Sequence, residues 1–137
     1  MANWILKTEP ESYSFQHLTR DQAAVWDGVT NPVALSHLKS MKKGDKLMIY
    51  HTGAEKQCVG FAEVTQEAYL DPNDSTGRLV VVGLKAGKPL RKPVTLAAVR
   101  GEASLAEIAL VRMPRLSVVP CDDAQWSTLL RMAGEPQ

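Results

Sequence analysis

Asp45-Lys46-Leu47-Met48-Ile49-Tyr50-His51-Thr52-Gly53-Ala54-Glu55-Lys56-Gln57-Cys58-Val59-Gly60-Phe61-Ala62-Glu63-Val64 reads as a β-hairpin. Leu47 to His51 is an apolar strand, Gly53 to Lys56 the turn, and Cys58 to Val64 the returning strand. Upstream, Trp4 to Lys7 is a short strand that breaks at Glu9-Pro10, since proline bars a helix from running through it. Ser14 then caps a helical turn carrying Phe15 and Leu18 inward. Trp26-Asp27-Gly28-Val29-Thr30-Asn31-Pro32 is a run of turn formers around one aromatic. Its Asn31 and Pro32 make a good N-cap and first helical residue. The helix so begun carries Val33, Ala34, Leu38 and Met41 on one face and ends at Gly44, after Lys42-Lys43.

Downstream of the hairpin, Pro72 to Gly77 is a loop and Leu79 to Leu84 a buried strand. Lys85 to Lys92 is basic, and Gly87, Pro89 and Pro93 predict an irregular path. Thr95–Val99 and Ser104–Leu110 read as short helical segments around Gly101, with Ser104 and Glu107 at capping-box spacing. Leu116 to Pro120 is a late strand. Asp122 with Gln125 caps a last helix with Trp126, Leu129, Leu130 and Ala133 on one face. Five strands and short helices without a βαβ rhythm predict a single α+β domain over 1–137, built on a curved mixed sheet that suits a small barrel.

The composition is ordinary for a globular chain: of 137 residues, 45% are hydrophobic and 23% charged. Sixteen Lys and Arg against fifteen Asp and Glu leave a net charge of +1, which excludes a strongly cationic coat but not a local basic patch. Met1 to Lys7 lacks the pattern of a signal peptide, and no apolar run approaches the ~20 residues of a membrane span. Cys58 and Cys121 have no partner at metal or redox spacing. A cytoplasmic protein is expected, with no metal, no cofactor and no membrane partner; the Asn73-Asp74-Ser75 sequon is then without meaning.

No catalytic motif appears. Gly83 to Lys88 looks like a phosphate loop, but it is one residue too short and Pro89 stands where Ser or Thr should follow. His17 and His37 read as surface residues. His51 is either a half-buried structural histidine or a proton-exchanging group at a pocket mouth. Cys58 reads as a small buried hydrophobe, with a Cys58 nucleophile and His51 base as the enzyme alternative. Trp4 and Trp126 fit the core. Trp26 is either a loop anchor or a platform for a planar ligand, beside Gly28 backbone donors and the side chains of Asn31, Ser14 and Thr8. Two basic clusters, Lys39/Lys42/Lys43/Lys46 and Lys85/Lys88/Arg91/Lys92, would grip phosphates if they bordered one groove.

Several segments together resemble the EVE domain family, relatives of the PUA, YTH and ASCH domains. They are Trp4 to Pro10 with Tyr13-Ser14, Trp26 to Val29 with Asn31, Met41 to Asp45, Tyr50 to Thr52, Gly60 to Val64 with Ala68-Tyr69, and Arg115 to Val118 with Trp126. The resemblance implies a PUA-like pseudo-barrel of curved, mostly antiparallel sheet flanked by short helices. It also implies a monomeric, non-catalytic reader of modified bases in DNA or RNA. Trp26 would then be the stacking wall, with Lys7, Thr8, Ser14, Gly28, Asn31, Tyr50, His51 and Ser117 lining or bracing one pocket. Lys42, Lys43, Lys88 and Arg91 would touch phosphates. Two arginines that family members often carry are replaced here, at Thr30 and Leu35, and the stretch Asn73 to Arg78 is shortened. An enzyme acting on a nucleoside-like ligand through His51 and a structural module with a vestigial pocket stay open as alternatives. If Trp26 is a platform, Trp26→Ala is expected to abolish binding while barely moving the melting temperature.

Overall fold

The computed structural model describes residues 2–136; Met1 and Gln137 lie outside them. The chain runs β1 (Asn3–Thr8), α1 (Phe15–Asp21), β2 (Ala23–Trp26), α2 (Pro32–Ser40), β3 (Lys46–His51), β4 (Gln57–Leu70) and β5 (Val80–Thr95). It continues with α3 (Leu96–Arg100), a 3₁₀ turn (Ala103–Leu105), α4 (Ala109–Arg112), β6 (Val118–Cys121) and α5 (Asp123–Met132). One mixed sheet of order β2-β5-β4-β3-β1-β6 holds six strands, with β1 and β3 parallel and the other neighbours antiparallel. This is the expected α+β, PUA-like class.

The sheet separates two apolar cores because successive strand side chains alternate between its faces. Trp4, Leu6, Leu47, Ile49 and Val64 join Phe15, Leu18, Trp26, Leu35 and Leu38 under α1 and α2. Ile5, Met48, Tyr50, Cys58 and Val119 join Val99, Ile108, Trp126 and Leu129 on the opposite face, with α3, α4 and α5. At one end of the sheet a buried Asp45 ties the strands together. Its carboxylate accepts from Trp4 Nε1 at 3.0 Å, from the Ala2 amide at 3.1 Å and from the Lys42 amide at 2.9 Å.

The structure departs from the sequence reading in four places. Ala23–Trp26 is a sixth strand, paired with Lys85–Val82, so Trp26 ends an edge strand and does not sit in a loop. The basic segment Lys85–Lys92 is not irregular but the middle of the long strand β5. Its glycine and prolines fall where register shifts against β4 release ladder bonds, as at Gly60↔Pro89. Gly87 is where Phe61 packs against bare backbone: a Cβ there would meet Phe61 at 3.0 Å. Helix α2 ends at Ser40, and Gly44, with φ 93°, belongs to the turn before β3. Ser104 and Glu107 form no capping box; Ser104 donates to Glu102 and Glu107 pairs with Arg112.

Candidate functional site

Thr8, the last residue of β1, borders two hollows. The first, about 420 Å³, lies beside α1 and β2 and is lined by Thr8, Tyr13, Asp21, Ala23, Ala24, Val25, Trp26 and Asp27. Trp26 is only 8% exposed, so it is chiefly a core residue that offers the hollow a margin of its ring, not an open platform. Tyr13 stands edge-on to it, ring centroids 6.2 Å apart at 77°. The Tyr13 hydroxyl donates to Asp21 Oδ2 at 2.9 Å, and Asp21 also pairs with Arg20 Nε at 2.9 Å. Burial, then the Asp21 bond, pushes the Tyr13 phenol up to about 12, so it stays a neutral donor. Gly28, at φ 79°, turns the chain after Asp27 but lines neither hollow, and the space around its Cα is open.

The second hollow, about 430 Å³, opens at the carboxyl ends of the parallel pair β1 and β3, on the side of α3 and α4. Along it run Ser117, just before β6, whose carbonyl accepts from the Lys7 amide at 3.0 Å, then Lys7 and its register partner Tyr50. Lys7 is half-buried; its Nζ donates to the Pro114 carbonyl at 2.9 Å and lies 5.6 Å from the Tyr50 ring centroid. Burial pulls its ammonium below the ordinary lysine range. Lys56, Arg100 and Arg115 line the same hollow, with Glu9 as the one lining carboxylate. That carboxylate already accepts from Thr52 Oγ1 at 2.9 Å.

The residues expected in one pocket are therefore distributed over several places. Lys7, Thr8, Tyr50 and Ser117 line the second hollow together, whereas period-2 alternation turns His51 away from its neighbour Tyr50. His51 is 2% exposed and lines neither hollow. Its Nε2 accepts from the Phe15 amide at 2.9 Å, which fixes the tautomer with hydrogen on Nδ1, donated to Glu55 at 2.9 Å. Ser14 caps α1: its Oγ accepts from the His17 amide and its own amide donates to His17 Nδ1. Asn31 caps α2, accepting from the Val33 and Ala34 amides, and borders a neighbouring hollow with Pro114 and Arg115. Neither reaches the aromatic hollow.

The phosphate-contact residues fall elsewhere too. Lys42 and Lys43 adjoin the Asp45 knot, at the start of β3, a strand length away from Thr8 and Tyr50. Lys88 and Arg91 gather on the buried carboxylate of Glu135: Lys88 Nζ lies 2.8 Å from Oε1, and the Arg91 amide donates to Oε2 at 2.8 Å. The sequence reading missed Tyr13 and Arg115 as site residues although both stand in the segments that carried the resemblance. Arg100 and Lys56 had no signal of their own; only packing of α3 and the β3–β4 turn brings them in. Thr30 replaces an expected arginine, yet its carbonyl accepts from the guanidinium of Arg78 at 3.3 Å, so another element returns a cation to that spot.

Cys58 is fully buried, and burial pushes its thiol up to about 12, away from the thiolate that a nucleophile needs. Among the described residues no His, Cys, Asp and Glu cluster is arranged to hold a metal ion, and no helix is long and apolar enough to cross a membrane.

A profile described as "EVE domain" matches residues 2–132. In structure the chain is similar to Rpa0253 of Rhodopseudomonas palustris, 41% identical, with a TM-score of 0.93 over 98% of this chain and 94% of that one. Its fold is also that of human THYN1 protein, crystallised in complex with 5-methylcytosine-containing DNA: TM-score 0.90, 22% identity, 100% of both chains covered. Thymocyte nuclear protein 1 of Gallus gallus is 35% identical over 82 residues, 51% of this chain and 34% of that protein. The chain spans about a third of the length of the curated relatives it matches.

Proposed function

The chain belongs to the EVE domain family, and we propose that it reads a modified nucleobase extruded from a DNA or RNA strand, without turnover. The observation that carries this is the hollow cornered by Tyr13 and Trp26. Its volume of about 420 Å³ is in the range of small-ligand sites, ~300–1,000 Å³. Aromatic edges receive a flat ring, and the Asp27 and Asp21 carboxylates are acceptors suited to an exocyclic amino group. The DNA complex of the human protein of the same fold supports that ligand class. The inaccessible Cys58 thiol and the fully engaged His51 ring favour binding over nucleophilic catalysis. The Arg78 contact at Thr30 speaks against a vestigial site.

Single-stranded oligonucleotides bearing 5-methylcytosine or cytosine provide the test, with affinities from calorimetry on the wild type and on Tyr13→Ala. A methyl group entering an apolar niche contributes about 0.8 kcal/mol, roughly a fourfold preference. Extrusion costs a few kcal/mol, so a fully paired duplex binds more weakly than the single strand. Tyr13→Ala lowers affinity and erases the preference. Equal wild-type affinity for both oligonucleotides, unchanged by Tyr13→Ala, overturns the proposal.

A further inference from the structure

The second hollow gathers into one concavity four cations that no carboxylate neutralises. Arg20, Lys85, Lys88, Arg91, Arg112 and Arg131 each lie within ion-pair distance of a carboxylate. No carboxylate among the described residues pairs with Lys7, Lys56, Arg100 or Arg115. These four converge on one concavity of about 430 Å³ with the hydroxyl residues Thr8, Tyr50 and Ser117. Four like charges repel, and Lys7 bears desolvation as well, held in place by the Pro114 carbonyl and the Tyr50 ring. An arrangement of this kind is at its most stable with an anion in its midst.

We infer that this hollow is an anion site, and that its ligand is a nucleotide phosphate adjoining the base held in the hollow cornered by Tyr13 and Trp26. Thr8 borders both hollows, so the base and its neighbouring phosphate would occupy contiguous sites on the two sides of the β1 terminus. Guanidinium groups fit the oxygens of a phosphate by paired donors, and Lys7 adds a point charge. The identity of the anion rests on the base-reading proposal; the presence of an anion site does not. The basic contacts of the protein are thereby moved from Lys42, Lys43, Lys88 and Arg91 to Lys7, Lys56, Arg100 and Arg115.

The test uses the double variant Arg100→Ala/Arg115→Ala, since both side chains are exposed and unpaired and their loss leaves the cores intact. Inorganic phosphate is first titrated into labelled protein and followed by amide shifts. Saturable shifts at Lys7, Arg100, Arg115 and Ser117 that vanish in the double variant are expected. Next, 5-methyl-2′-deoxycytidine, its 5′-monophosphate and a trinucleotide with that base in the middle are compared by calorimetry. The monophosphate and the trinucleotide should each bind about tenfold tighter than the nucleoside, the effect of a charge-assisted hydrogen bond, and lose that advantage in the double variant. An advantage confined to the monophosphate assigns the site to free nucleotides and overturns its role on a strand. Absence of phosphate shifts, or equal binding of nucleoside and monophosphate, overturns the anion site while leaving base reading intact. Phosphate shifts without any nucleoside binding have the opposite meaning: the anion site stands and the base reading falls.

Discussion

The two hollows that meet at Thr8 are opposite in electrostatic construction. On the side of α1 and β2 the Tyr13 hydroxyl donates a hydrogen bond to Asp21, and Asp21 pairs with Arg20. On the side of α3 and α4 four cations share the hollow with a single carboxylate, Glu9, that pairs with none of them, and Lys7 rests on a carbonyl and an aromatic face. A self-satisfied aromatic corner selects a flat, nearly neutral group through shape and a few hydrogen bonds. An unneutralised basic one selects charge. The near-neutral composition, +1 overall, hides this difference, because a net sum does not show that Arg20, Lys85, Lys88, Arg91, Arg112 and Arg131 are cancelled locally while the cations of this hollow are not.

The largest effect that separates the two sides concerns Trp26. Its ring belongs to the core shared with Leu84, Val82 and Phe15, so Trp26→Ala should destabilise the fold by about 3–5 kcal/mol, read from chemical denaturation. This reverses the expectation drawn from sequence, that the melting temperature would barely move. Arg115→Ala, on the charged side, should stay within about 0.5 kcal/mol of wild type. Equal stabilities for the two variants would break the contrast between a core-built hollow and a surface-built one. Binding tests should accordingly use Tyr13→Ala, because loss of binding in Trp26→Ala would report unfolding as readily as a lost wall.

A smaller effect is expected at His51, which packs beneath the aromatic side without touching either ligand position. His51→Ala strands the buried Phe15 amide and should cost about 1–3 kcal/mol for that group, with a further loss for the cavity. Nucleoside and phosphate affinities measured well below the melting temperature should stay within twofold of wild type. A large drop in either, at full folding, would return His51 to the site and contradict its assignment as a brace.

Much of the frame was legible because local chemistry and tertiary packing agree there. The Asn31-Pro32 start of α2 and the Asp122/Gln125 box of α5 are satisfied by contacts three residues away, so sequence alone contains them. Thr95–Val99 likewise became a helix capped by its own Thr95. The failures share a different cause. Gly87, Pro89 and Pro93 are poor strand residues, and β5 tolerates them only because it bulges there against β4, a long-range fact. The edge strand Ala23–Trp26 is too short to show a period. In the site, Trp26, Thr8, Lys7, Tyr50 and Ser117 were named, but as lining one cavity; the last four share the second hollow, and Trp26 lines the first, which meets it only at Thr8. Arg100 and Lys56 come from a helix and a turn that meet β1 only in the folded chain.

The smallest expected effect tests whether the aromatic side is as internally satisfied as its geometry implies. Tyr13 has its phenol raised to about 12 from an ordinary 10.0, first by burial and then by the hydrogen bond to Asp21. A group of raised pKa that is charged only when deprotonated favours the fold while it is neutral. Its contribution is thus complete below pH 10 and is lost as the pH climbs from 10 towards 12. An ultraviolet titration of tyrosinate should show one midpoint near 12 that disappears in Tyr13→Phe. Asp21→Asn removes the second cause but not the first, so the midpoint should fall only part of the way to 10.0. A fall all the way would make the carboxylate, not burial, the dominant influence. A wild-type midpoint already at 10.0 would mean that Tyr13 faces water freely, and the aromatic hollow would then be as open as its charged neighbour.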